Sequence, residues 1–342
     1  MANTSQLDSR CSHLELPEGM TTSMVRLGNG DLLTVMDNTV FISGDDGKSW
    51  SQKGPVVTGR RSGIPGSGLL LQTRHDWTVL VYTDASTCLW SWDEETGRAD
   101  PNARLDVWSV RSHDGGETWQ DRQRLMEGYC GALITMVQME RGNIVVPVQI
   151  LRRDPDRHAT TSYMSDDDGK TWSNANVLDL GGHGHHDGAM EATLAELRNG
   201  TLLMLLRTNL DAFWEAYSMD QGRSWRILQK SSIEASSSPG YLLRLASDRL
   251  CLLWNRLSLQ NNSPPPRRSG QYSATEASWQ RQELSIAFSS DEARTWSDPQ
   301  VVASSPEPPY PCYPHAFEAG KGRLWITAGT KRFSLFEEDF VS

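Results

Sequence analysis

The 342-residue sequence predicts an all-β chain folded as a six-bladed β-propeller, and three observations predict it. One eight-residue hairpin sentence occurs five times. A second turn-and-strand unit occurs six times and alternates with it. No segment shows a convincing apolar repeat of helical period, whereas β-branched residues and period-2 alternation dominate.

The hairpin sentence reads Ser-x-Asp-x-Gly-x-Thr/Ser-Trp. It occurs at Ser43–Trp50, Ser112–Trp119, Ser165–Trp172, Ser218–Trp225 and Ser289–Trp296, the last with Ala293 where the others carry glycine. The short Asp side chain accepts hydrogen bonds from nearby amides and fixes a tight turn. Glycine supplies a positive φ, and the Trp enters the next strand as a large apolar anchor. Segments of this kind are Asp boxes. Hairpin chemistry explains the pattern fully, so the boxes are expected to build the fold and take no part in catalysis.

The second unit is a turn followed by an apolar strand: Asn29–Leu33, Arg141–Val145, Asn199–Leu203, Ser247–Cys251 and Lys321–Trp325, with His75–Val79 as a poorer copy. An Asp box follows each of the first five units, and the sixth runs to the C-terminus. Six such units match six four-stranded blades around a channel. One propeller domain is thus expected over residues 1–342. Residues 1–20 are expected to close the ring against the last blade, and 88–104 and 261–268 to be loops inserted on the blades.

Composition excludes several functions. The net charge of −10 argues against a nucleic-acid or anionic-membrane surface, while leaving room for a local arginine cluster. No apolar run has the length of a membrane helix. Met1–Met20 lacks the basic-then-apolar plan of a signal peptide, which points to a cytoplasmic protein, export of a trimmed form staying open. Five scattered cysteines without CxxC spacing read as reduced, mostly buried thiols rather than disulfides or a zinc site.

Against this background the chain resembles the sialidase (neuraminidase) superfamily of Asp-box, BNR-repeat propellers over its whole length. The resemblance is specific at three places. Glu191 is followed sixteen residues later by Arg207, with an apolar strand pair between them. Tyr313 precedes the last turn glycine, Gly322, by nine residues. Arg281 stands just before the strand that leads into the last Asp box. The resemblance implies an exo-acting glycoside hydrolase that releases a terminal acidic sugar, sialic acid above all. In it Tyr313 is the nucleophile, Glu191 the base that activates the phenol, and Arg207 and Arg281 the clamp on a carboxylate. An acidic glycan or sialoside is the implied partner, and the mechanism needs no metal or cofactor.

The sequence also departs from that pattern. Where the family places its first arginine before Ile-Pro, this chain has Gly63-Ile64-Pro65, with Arg61 two residues upstream as a substitute. The loop that carries the family's acid is rewritten as Asp84 to Asp93. Asp93 is the nearer match for the acid and Asp84 the fallback. A two-arginine clamp leaves open another acidic sugar such as a uronate, a polysaccharide lyase, or a non-catalytic carbohydrate-binding propeller. One further constellation, Gly181-Gly-His183-Gly-His185-His186-Asp187-Gly188, leads into the Glu191 strand. It reads as substrate contact or acid/base through His185, His186 or Asp187, as a glycine-rich solvated loop, or as a metal cluster without fixed ligand spacing. Arg152, Arg153 and Arg256 are candidates for the pocket or for surface ion pairs. Trp90, Trp92 and Trp214 are candidates for sugar stacking or blade packing.

Overall fold

The computed structural model describes residues 6–58, 68–264, 266–268 and 276–341, and it is a six-bladed propeller of antiparallel sheets. Blade 1 contains Met24–Arg26, Leu32–Met36, Thr39–Ser43 and Ser51–Pro55. Blade 2 contains Leu69–Gln72, Thr78–Thr83, Val107–Ser112 and Gln120–Met126; blade 3 contains Val137–Gln138, Ile144–Arg152, Arg157–Ser165 and Ser173–Asn174. Blade 4 contains Met190–Glu196, Leu202–Arg207, Ala212–Ser218 and Ile227–Glu234; blade 5 contains Tyr241–Arg244, Leu250–Trp254, Glu283–Ser289 and Gln300–Ser304. Blade 6 takes His315–Gly320, Arg323–Ala328 and Lys331–Phe336 from the C-terminal end of the chain and Ser12–His13 from the N-terminal end, with His13 opposite Phe333. The N-terminal segment therefore closes the ring, and it does more than the sequence indicated. Gln6–Leu7 runs on to blade 5 and adds a fifth strand, Leu7 opposite Ala303.

The second strand of each blade is sandwiched between neighbouring blades. Leu202–Arg207 is buried along its whole length, which is why it reads as a continuous apolar run rather than an alternating one. The core is correspondingly divided into clusters between blades. Val145, Leu194, Leu202 and Trp225 join blades 3 and 4, and Ile286, Leu324 and Phe333 join blades 5 and 6.

The Asp boxes are closed hydrogen-bond rings. In the first, Ser43 Oγ donates to Asp45 Oδ1 (2.9 Å) and accepts from the Gly47 amide (2.8 Å), while Asp45 accepts the Ser49 amide (2.8 Å) and hydroxyl (2.7 Å). The same ring recurs at Asp114, Asp167, Asp220 and Asp291. Donors from the Ser or Thr four residues on hold Asp45 and Asp291 down to about 2. Each box begins where the third strand of its blade ends, opposite the end at which the inner strand of blade 4 starts.

Ala293, the departure in the fifth box, has φ +63° with the ring around it intact. A Cβ in the left-handed region costs about 1–2 kcal/mol, partly offset by the extra chain entropy of glycine. Ala293→Gly is therefore expected to stabilise the protein by about 0.5–1 kcal/mol, read as a higher midpoint in urea with kinetic constants unchanged.

Candidate active site

Three of the residues singled out in the sequence meet at the start of blade 4. Glu191 and Arg207 are only 7% and 2% exposed. Arg207 Nη1 donates to Glu191 Oε2 at 2.5 Å and to the Tyr313 hydroxyl oxygen at 3.0 Å, and that hydroxyl donates to Glu191 Oε1 at 2.9 Å. Local backbone explains the meeting. Met190 pairs with Arg207 but Thr193 with Leu205, so the inner strand carries one extra residue, and Glu191 sits in that bulge with φ +23°. A bulge turns a side chain out of the alternation of its strand, here toward the channel. Tyr313 also has positive φ, +54°, in the turn that enters blade 6. Both partners of the Tyr–Glu pair are thus held in sparsely populated backbone conformations, as groups fixed for function often are.

Glycines next to the two turns let the chain pass closely. A Cβ on Gly329 would lie 2.2 Å from the Tyr310 carbonyl oxygen, beneath the Tyr313 turn. One on Gly188 would lie 2.0 Å from the His158 carbonyl oxygen.

Ser237 joins the second arginine to the first. Its hydroxyl oxygen accepts from Arg207 Nε and Nη2 at 3.3 Å each, and its carbonyl accepts from Arg281 Nη2 at 3.0 Å. Arg281 packs 4.5 Å from the ring centre of Trp279 and 5.6 Å from that of Tyr313. Its Nε is buried without a hydrogen-bond partner, and among the described residues no carboxylate forms an ion pair with it. Burial, and then the charge of Arg207, push its ionisation below the usual arginine value. Burial, followed by the charge of Glu191, pushes the Tyr313 phenol up to about 12, against the pull of both arginines. Free Tyr313 is neutral at pH 7.

The histidine loop lines the mouth. His185 and His186 have ring centres 4.3 Å apart; His186 meets Trp279 edge-on at 4.7 Å, and His185 meets Trp90 at 4.6 Å. Trp90 in turn stacks on Tyr129 at 3.9 Å. The inserted segment delivers Trp90 and Trp92 as part of a small hairpin clamped onto blade 3. Arg153 donates to the Ala99 and Asp100 carbonyls, Asp156 accepts the Ala99 amide, and His183 Nε2 lies 2.9 Å from the Gly97 carbonyl. Burial drives His158, His185 and His186 to about 3, 4 and 2, with Arg207 adding to the effect on each, so all three are neutral at pH 7. A cavity of about 350 Å³ opens beside Tyr313, between blade 6 and Glu18–Thr21. Another, of about 530 Å³, lies at the far end of the blade 4 inner strand, where Arg198 and Arg244 are already paired with Asp248 and Glu292.

Several expectations from the sequence need correction. Asp93 is an exposed turn residue of the inserted hairpin; the amides of Glu95 and Thr96 hold it ionised below the usual carboxylate range, the wrong state for a proton donor. Asp84 is buried, caps the short turn Ala85–Thr87 through the Ser86 amide and hydroxyl, and stands 3.5 Å from Arg122. Asp187 is a structural member of the histidine loop, accepting from Asn209 and from the His183 amide. Arg256 pairs with Glu234 at 2.7 Å, and Trp214 packs in the outer part of blade 4. The loop is no metal cluster: no group of three or more His, Cys, Asp or Glu able to hold a metal occurs among the described residues. Arg61 and Gly63 lie outside the described residues.

Sequence reasoning missed Gln149, His158, Tyr129 and Trp279. Gln149 Nε2 donates to His158 Nδ1 at 2.8 Å while its Oε1 accepts the Glu191 amide at 3.4 Å, so it ties the imidazole wall to the Glu191 backbone. A polar residue closing the apolar run Ile144–Val148 was the available signal for Gln149.

The comparisons agree with this architecture. The family model described as a BNR repeat-like domain matches residues 35–326, and the chain belongs to that family. Similar proteins include a sialidase of Clostridium perfringens, 25% identical over 266 residues; the match covers 67% of this chain and 66% of that protein. In fold the chain is similar to a Dyadobacter fermentans protein of unknown function (TM-score 0.65, 16% identity, 97% and 98% of the two chains). It is likewise similar to the Hadza microbial sialidase Hz136 (TM-score 0.60, 15% identity, 93% and 65%).

A pH effect on stability follows from the buried imidazoles. His315, buried beside the Tyr313 turn, is held by desolvation at about 4 against an ordinary 6.5. Between those values the unfolded chain takes up a proton that the folded chain refuses. Stability is thus complete above about pH 6.5 and falls as pH drops toward 4, by at most about 1.4 kcal/mol per pH unit for each such group. His315→Gln is expected to flatten the stability–pH curve over that window, measured by urea unfolding at half-unit pH intervals; an unchanged slope would contradict the assignment.

Proposed function

We propose that this chain is an exo-acting glycoside hydrolase of the sialidase kind, releasing a terminal acidic sugar, with sialic acid the first candidate. The observation that carries this reading is the buried Tyr313–Glu191–Arg207 knot with the unpaired guanidinium of Arg281 beside it. A guanidinium left without a carboxylate in a largely desolvated pocket is a site for an anion, and its planar fork suits a carboxylate. The similarity to sialidases supports the same substrate class.

The mechanism follows from the protonation states. Tyr313 Oη attacks the anomeric carbon as its proton passes to Glu191 Oε1, already within hydrogen-bond reach. A neutral phenol approaches an anionic sugar without the repulsion that a carboxylate nucleophile would meet. Arg207 steadies Glu191 before the transfer and the phenolic oxygen during it. Water then displaces the sugar from Tyr313, and two displacements at one carbon retain its configuration.

Gly63 in place of the family's first arginine favours a second reading, in which the acidic sugar is a uronate held by two arginines. Hydrolysis of a fluorogenic sialoside beside a panel of uronides decides between them. Tyr313→Phe is expected to lower turnover by about 10³-fold or more while the melting curve stays cooperative; near-normal rates in that variant would remove Tyr313 as nucleophile.

A further inference from the structure

We propose that His186 is the acid of this site: it carries a proton only while an anionic substrate is seated on Arg281, and it gives that proton to the departing glycosidic oxygen. The proposal rests on the hydrolase reading above and supplies the group that reading lacks.

Elimination and geometry both lead to His186. Departure of a sugar alkoxide at neutral pH requires a proton donor. Asp93 is tied into an exposed turn, Asp84 into a buried cap, and Asp187 into the base of the histidine loop. Burial raises Tyr129 above the ordinary tyrosine value, and its ring is covered by Trp90. His158 is fully enclosed and its Nδ1 is taken by Gln149; His185 has a buried Nδ1 and lies against Trp90. His186, partly buried like His185, is the imidazole that adjoins Trp279, on which Arg281 rests, and through Arg281 the ring of Tyr313.

Burial and the charges around it set when it ionises. Burial disfavours a proton on His186 most; Arg207 at the end of the second strand of blade 4, the imidazoles of His185 and His158, and Arg281 at the entry to the third strand of blade 5 add to it. Glu191 is the nearby counter-charge, and it is already spent on Arg207 and Tyr313. A substrate carboxylate on Arg281 offsets the charge of the guanidiniums and supplies the counter-charge that a buried imidazolium needs beside the leaving group. In the first displacement the Tyr313 O–C bond forms, the glycosidic C–O bond breaks, the phenol proton goes to Glu191, and the His186 proton goes to the leaving oxygen. In the second, water attacks the same carbon and gives its proton to His186, and Glu191 returns its own to Tyr313. The sum is hydrolysis, with no other co-reactant.

The test is leaving-group dependence in His186→Gln. With 4-nitrophenyl sialoside, whose phenolate leaves unaided, kcat/KM is expected to fall less than about threefold; with sialyllactose it is expected to fall at least about 100-fold. The same pair of leaving groups on a uronic acid serves if the uronides are the substrates. A second measurement is independent of turnover. Calorimetric titration of the Tyr313→Phe protein with methyl α-sialoside (or the methyl uronide), in two buffers of different ionisation enthalpy at pH 7, is expected to show uptake of about one proton per ligand, lost when His186→Gln is added. Equal losses on both leaving groups, or proton uptake unaffected by His186→Gln, would overturn the assignment while leaving the hydrolase reading standing. Failure of the wild type to bind or turn over either acidic sugar overturns the hydrolase reading, and the assignment with it.

Discussion

The ion pair between Glu191 and Arg207 is shut away from water where two strands of blade 4 meet the channel, and most of the site is arranged around that fact. A buried charge that loses its partner costs several kcal/mol, so neither residue can move independently. The bulge at Glu191 sets one end of the pair and the last residue of a fully buried strand sets the other. Tyr313 then completes a three-cornered hydrogen-bond set by reaching in from blade 6, a sheet closed by the N-terminal strand Ser12–His13. Ring closure therefore matters to the chemistry: it holds the phenol of the last blade against the carboxylate of the fourth.

The same pair decides the charge of everything near it. Glu191 neutralises Arg207, and nothing among the described carboxylates does so for Arg281. Among the described residues the buried guanidinium of Arg281 is thus an uncompensated positive charge in the pocket, although the whole chain has a net charge of −10. Burial near these guanidiniums keeps three imidazoles neutral, and the carboxylates of Asp84 and Asp93 are consumed by local turns. Global sign and local sign differ because the Asp boxes put their carboxylates on the opposite face of the propeller, where serine and threonine donors hold them ionised.

The fold was legible because its signals are local and repeated. An Asp side chain bonding an amide four residues on needs no tertiary partner, so five copies could be read from spacing alone, even at Ala293, where the ring survives without glycine. Glu191, Arg207, Arg281 and Tyr313 were legible through resemblance, since each holds a fixed offset from a turn or strand. Gln149, His158 and Trp279 were not, because their importance comes from which blade tops face one another across the channel. Asp93 and Asp84 misled for a related reason. A carboxylate in the expected stretch of sequence resembles an acid until the hydrogen bonds around it are known, and the insertion between residues 88 and 104 had turned that stretch into a hairpin whose aromatic residues, rather than its carboxylates, reach the mouth.

That replacement has a physical consequence for the kind of acid this pocket can use. Beside an unpaired Arg281 a carboxylic acid would ionise and bind the guanidinium itself, losing its proton and occupying the place of the substrate's carboxylate. With a third arginine the pocket could hold both anions; with Gly63 at that position of the sequence, the competition would be sharper. An imidazole avoids it. Neutral in the empty site, it has no charge with which to compete for Arg281, and it takes up a proton from solvent only when the ligand's carboxylate is there to balance it. An aspartate tied into a turn and a histidine-rich loop are in this light one adjustment: the first leaves Arg281 free for the substrate, and the second makes the acid conditional on the substrate's arrival.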